Sequence, residues 1–141
     1  MRRSLLLVSA AALLPSPIIA QTAPESVHID ANGPSDLCGV IGENALAIRA
    51  KLKSDANIAE EPSGSPRFET YFSSVETKQW TVTTKRDPAY PTVTCVHLYN
   101  SHGATEMKRD MRCDASREAC DTLFREFDAS DTALRKQIRG G

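Results

Sequence analysis

The sequence predicts an α+β domain in two layers, a four-stranded antiparallel meander packed on one face by an N-terminal and a C-terminal helix and tied by two disulfides. Three observations carry this reading. Apolar residues recur at helical spacing near both ends and alternate in between. The β-prone runs in the middle are separated by short turn signals, which favour antiparallel neighbours. Four cysteines follow a leader of the kind that directs export.

Residues 1–20, MRRSLLLVSAAALLPSPIIA, have the parts of a signal peptide. Arg2 and Arg3 form a short positive start, Leu5 to Leu14 an apolar stretch, and Pro15 and Pro17 break it ahead of Ala20. Cleavage is expected near Ala20. The stretch is too short to cross a hydrocarbon core of about 30 Å. No polar residue precedes the arginine pair, so the general export route is favoured over the twin-arginine route. The expected location is the periplasm or the exterior, with no membrane span left after cleavage. Residues 21–34 are polar and without period, and read as a flexible N-terminal segment. A single α+β domain is expected over 35–139.

Ser35 or Asp36 can cap a first helix, whose stripe is Cys38, Ile41, Ala45, Ile48 and Leu52. Gly39 and Gly42 disfavour its first turns by about 1 kcal/mol each, and signal either close packing or a later start. Residues 62–66, PSGSP, end any helix. Arg67 to Val75 and Thr77 to Lys85 alternate as two strands of a hairpin. Pro91 to Asn100 is the most β-prone run, read as the central strand, with Val93, Cys95, His97 and Tyr99 on one side. Asn100 to Gly103 is a turn, and Thr105 to Cys113 is the fourth strand. On it Met107, Arg109, Met111 and Cys113 share one face. Glu106, Lys108, Asp110 and Arg112 share the other, which reads as solvated. Asp114 or Ser116 can cap the last helix, with Cys120, Leu123, Phe124 and Phe127 buried. Asp128 to Asp131 interrupts its pattern.

An exported chain with an even number of cysteines points to disulfides, and four cysteines allow three pairings. Cys38 on the leading helix can reach Cys95 across the core. Cys113 and Cys120 are separated by a short turn. A turn centred on Ser101 and His102 leaves Cys95 far from Cys113, beyond bridging distance. The expected pairs are Cys38–Cys95 and Cys113–Cys120. The cysteine spacing matches no ordinary zinc pattern, so no metal and no cofactor are expected.

The 141 residues carry a formal charge of −1, which becomes −3 when the leader takes away Arg2 and Arg3 and no acid. That gives no electrostatic case for a nucleic-acid partner. No phosphate loop, nucleophile elbow or HExxH motif is present. The candidate ligand-binding set is His97, Tyr99 and Arg109, brought together by a register that places His97 beside Met107 and Cys95 beside Arg109. The bland alternative makes His97 a core-edge residue and lets Arg109 extend to solvent. Ser101, His102 and Gly103 form a candidate partner-contact loop at the hairpin tip. No catalytic residue is assigned. Cys95 and His97 resemble a thiol–imidazole pair, but a disulfide-bonded sulfur is no nucleophile.

The resulting expectation is a small, exported, disulfide-stapled protein that binds an unknown protein or small molecule without catalysis. The rivals are a small secreted hydrolase using His97 with a carboxylate, with Glu69 or Tyr71 as its acid–base partner, and an inhibitor-type protein that inserts its hairpin loop into a partner.

Overall fold

A computed structural model of the chain describes residues 33–140. The expected signal peptide and residues 21–32 lie outside the described residues. Two short strands come first, β1 (Ser35–Leu37) and β2 (Val40–Gly42), paired antiparallel around Cys38 and Gly39. Both turn residues have positive φ, 57° and 91°, as a two-residue turn that follows the strand twist requires. Asp36 Oδ1 accepts from the Gly39 N–H at 2.6 Å and holds the turn.

Helix α1 (Ala45–Ser54) then starts late, capped by Asn44, whose Oδ1 accepts from the Ala47 N–H at 2.8 Å. The expected five-residue stripe is therefore divided. Cys38 and Ile41 belong to the hairpin, and only Ala45, Ile48 and Leu52 are on the helix. Neither Ser35 nor Asp36 caps it. Gly42 marks a close approach: a Cβ there would lie 2.6 Å from Ile48 Cγ1 and 2.9 Å from the Ile48 backbone nitrogen.

Five strands follow: β3 (Ala59–Glu61), β4 (Phe68–Ser73), β5 (Lys78–Thr83), β6 (Thr92–Ser101) and β7 (Ala104–Cys113). They form one antiparallel sheet in chain order, so the meander is present with an additional strand. β3 was not anticipated because Ala-Glu-Glu shows no strand pattern. It is an exposed edge that pairs Ala59 with Phe72 and Glu61 with Thr70. β6, read as the central strand, is next to the edge, yet Thr92 to Cys95 are buried on both faces.

Helix α2 (Arg117–Gly140) closes the chain. Ser116 caps it, its Oγ accepting from the Ala119 N–H at 3.3 Å. The helix runs without a break through Asp128 to Asp131, because Asp131 turns inward and pairs with Arg109.

The two helices lie on opposite faces of the sheet, which corrects the two-layer expectation to three layers. α1 and Leu37 cover Tyr71, Trp80, Val82, Val93 and Cys95. α2 brings Cys120, Leu123, Phe124 and Phe127 against Phe68, Met111 and Cys113. Trp80, 1% exposed, anchors the first of these layers. Its Nε1–H donates to the Leu37 carbonyl at 2.9 Å.

The strand register carries the second correction. The β6–β7 turn is His102–Gly103, with φ of 50° and 82°, so Ser101 pairs with Ala104 and His97 with Lys108. Cys95 lies opposite Asp110 rather than Arg109. A slip of one residue moves every side chain of a strand to the other face. The charged set Glu106, Lys108, Asp110 and Arg112 thus shares the face of α1, and Arg112, read as solvated, is 5% exposed. Its guanidinium bonds Asp114 Oδ1 at 2.5 Å, the Gly33 carbonyl at 2.9 Å and the Glu43 carbonyl at 3.2 Å. Asp114 Oδ2 accepts from the Ala45 N–H at 2.5 Å, so this residue serves the start of α1 and not that of α2.

Both disulfides have the expected pairing. Cys38–Cys95 spans 57 residues with Cα atoms 6.2 Å apart, and Cys113–Cys120 spans 7 with Cα atoms 5.9 Å apart. The first links a hairpin turn, not a helix, to the sheet.

Candidate functional site

Two zones hold the residues singled out from the sequence, and they lie on opposite sides of β6. On the α1 side, the row across the sheet at His97 reads Ser73, Lys78, His97, Lys108. His97 Nδ1 is 3.5 Å from Cys38 Sγ. A disulfide sulfur has no proton, so Nδ1–H is the donor in any hydrogen bond there. Asp110, on the neighbouring row with Cys95, completes a half-buried group: donor atoms of Cys38, His97 and Asp110 all lie within 4.8 Å of one another. Lys78 Nζ donates to the Cys38 carbonyl at 3.0 Å. A groove of ≈ 410 Å³ opens beside this corner, lined in part by Cys38, Gly39, Ile58, Val75 and Lys78.

On the α2 side, Arg109 is a pinned structural residue. Its guanidinium makes two 2.7 Å bonds to Asp131 and one of 2.9 Å to Thr94 Oγ1. The same group sits 4.3 Å from the Phe127 ring centroid. His97 and Tyr99 are brought together, with ring centroids 5.7 Å apart, but Arg109 is directed through the sheet away from them. The three residues therefore do not form one site. His97 is half-buried at the edge of the α1 layer, and Arg109, its side chain 13% exposed, is tied to Asp131 rather than extended to solvent between Met107 and Met111.

The carboxylate considered for hydrolysis is also committed elsewhere. Glu69 lies four positions along the strands from the His97 row. Arg49 bonds it at 2.8 and 2.5 Å, and the Tyr71 hydroxyl donates to it at 2.9 Å. Hydrogen bonding to the Arg49 guanidinium holds the Glu69 carboxyl below the usual carboxylate range, against the opposing effect of burial. Burial, with the hydrogen bond to Glu69, pushes the Tyr71 phenol far above its ordinary value. Glu69 stays charged and Tyr71 neutral, a structural pair on the α1 face.

The far end of the β6–β7 hairpin is different. β5 pairs with β6 only up to His97, so Leu98 to Ser101 extend beyond the sheet, supported by β7 alone. Leu98 is 41% and Tyr99 42% exposed, on opposite sides of the arm. His102 and Gly103 are exposed at the tip, and Ser101 Oγ lies 2.9 Å from His102 Nδ1.

Sequence reasoning missed Asp110 and Lys78 as neighbours of His97. The signal for Asp110 was present: centring the hairpin on His102–Gly103, both suited to positive φ, places it opposite Cys95. Lys78 had no comparable cue. No family model matches this chain, and neither a curated protein nor a solved structure does. No helix among the described residues is long and apolar enough to cross a membrane.

Proposed function

We propose that the chain is an exported, non-enzymatic binding protein whose contact element is the projecting end of the β6–β7 hairpin. The observation that carries this reading is the arm itself. It presents a leucine and a tyrosine to solvent past the last rung of β5, with a histidine at the tip. Aromatic residues held on a rigid strand lose little entropy on docking and are favoured anchors in protein interfaces. The partner is a protein with an apolar cleft wide enough for a two-stranded ribbon. Ser101, His102 and Gly103 enter first, and Leu98 and Tyr99 pack against the cleft walls. Two disulfides suit an oxidising compartment, in agreement with export from the cell interior.

The test is site-directed photocrosslinking in the native compartment. A photoreactive residue in place of Tyr99 or Leu98 should yield one discrete adduct, and one in place of Val75, 81% exposed at the β4–β5 turn, should not. The paired change Leu98→Asp with Tyr99→Ser should abolish capture of the same partner while leaving the unfolding midpoint nearly unchanged. Adducts from Val75 alone would contradict the assignment.

A further inference from the structure

We infer that the corner at Cys38 becomes a zinc site when the Cys38–Cys95 disulfide is reduced. The ligand set would be the Cys38 and Cys95 thiolates, His97 Nδ1 and one oxygen of Asp110. In the oxidised chain the sulfurs are neutral and bonded to each other, and no such site exists.

The donor atoms are already gathered, and reduction frees the two sulfurs to part to the roughly 3.8 Å that two thiolates on one zinc require. Zinc–sulfur bonds near 2.3 Å and zinc–nitrogen bonds near 2.05 Å at a tetrahedral angle place S and N roughly 3.5 Å apart. Cys38 Sγ and His97 Nδ1 are 3.5 Å apart. Asp110 lies within 4.8 Å of both. Cys95 is attached to Cys38 and so supplies the fourth position. Two thiolates with an imidazole and a carboxylate suit zinc in charge and softness.

The ligands do not depend on the sulfur–sulfur bond to stay together. Cys95 and Asp110 are opposed on β6 and β7. The Cys38 turn is held by Lys78 Nζ on the Cys38 carbonyl at 3.0 Å and by Trp80 Nε1 on the Leu37 carbonyl at 2.9 Å. Lys108 Nζ, 3.0 Å from Asp110 Oδ1, is on a largely exposed side chain and can swing away when the metal takes the carboxylate. The groove beside Cys38 gives a reductant access.

The reaction is a two-electron exchange. An external dithiol gives two electrons and two protons to the disulfide and leaves as its own disulfide, so Cys38 and Cys95 become thiols. Zn²⁺ then displaces both thiol protons to solvent. The inference does not rest on the hairpin arm, and either can fail without the other.

The probe is Co²⁺, added without oxygen to the full mature chain before and after reduction by a phosphine. The reduced chain should bind one Co²⁺ with thiolate charge-transfer and tetrahedral ligand-field bands, which Zn²⁺ removes, and the oxidised chain should show neither. The Cys113→Ala, Cys120→Ala variant should keep these bands. His97→Ala and Asp110→Asn should each weaken binding at least about tenfold. If reduction unfolds the chain, Zn²⁺ must restore its near-ultraviolet circular dichroism. Absent bands, bands unchanged by His97→Ala, or a reduced chain that zinc fails to refold would overturn the inference.

Discussion

Under α1 the sheet presents Tyr71, Trp80, Val82 and Val93, and under α2 it presents Thr83, Thr92, Thr94 and Met111, all buried. The first face is largely aliphatic and aromatic, and its helix is held by burial. The second face is rich in hydroxyls that must each find a partner. Thr92 Oγ1 donates to the Ala89 carbonyl at 2.5 Å, the Thr92 N–H donates to Thr83 Oγ1 at 2.8 Å, and Thr94 Oγ1 accepts from Arg109. Arg109 in turn holds Asp131 of α2. Both helices have apolar and polar contacts, Arg112 with Asp114 at the start of α1 and Phe124 and Phe127 under α2, and the seats differ in what the central strands supply: apolar side chains under α1, hydroxyls under α2. A change of β6–β7 register is costly on both sides: it takes Arg112, 5% exposed, from its partners on the α1 side and Arg109 from Thr94 on the α2 side.

The disulfides sharpen the contrast and should give the largest effect. Replacing Cys38 and Cys95 together by alanine releases a loop of 57 residues, and in the loop-entropy picture lowers stability by about 4 kcal/mol. The same change at Cys113 and Cys120 releases 7 residues and should remove about 2 kcal/mol. Urea unfolding of both variants measures the difference. Equal losses would show that native contacts, rather than the length of the closed loop, set each contribution.

Next in size is the pin of α2. Asp131→Ala leaves the Arg109 guanidinium buried without its carboxylate and should destabilise by about 3 kcal/mol in chemical unfolding. Arg109→Met combined with Asp131→Leu should recover most of that loss, since an apolar pair of similar volume leaves no charge behind. A double variant as unstable as the single one would mean that the ion pair itself is required.

The smallest effect belongs to the α1 face. Glu69 has its carboxyl lowered by Arg49, so its contribution is present above the unfolded carboxylate range and is lost as pH falls through the folded value. Glu69→Gln should lower stability by about 1 kcal/mol at neutral pH. It should also reduce the drop in stability between neutral and acid conditions. An unchanged acid profile would remove Glu69 from the account.

Much of this fold was legible in the residues. Alternation in FETYF and KQWTVT marked a hairpin, and the even set of cysteines with their separations selected the pairing. The apolar stripe at Cys38, Ile41, Ala45, Ile48 and Leu52 was real as burial chemistry but not as one helix, because Gly39 takes positive φ and Asn44 is the better cap. β3 was hidden because an edge strand of Ala-Glu-Glu is stabilised by its neighbour, not by its own side chains. The layering and the proposed His97–Arg109 site were lost together through one residue of register at the His102–Gly103 turn. Charged residues on β7 looked solvated because nothing local reveals that Arg112, beside the Asp114 carboxylate, also gathers the Gly33 and Glu43 carbonyls from a distant segment.

That register is also the point on which the two-face picture depends. Cross-strand proton contacts between β6 and β7, measured by nuclear magnetic resonance in the oxidised chain, test it directly. Close Hα pairs should appear between Leu98 and Met107, between Val96 and Arg109 and between Thr94 and Met111, the wide-spaced rungs of this pairing. Hα contacts joining His97 to Met107 or Cys95 to Arg109 would return the charged residues of β7 to the α2 side and contradict the account.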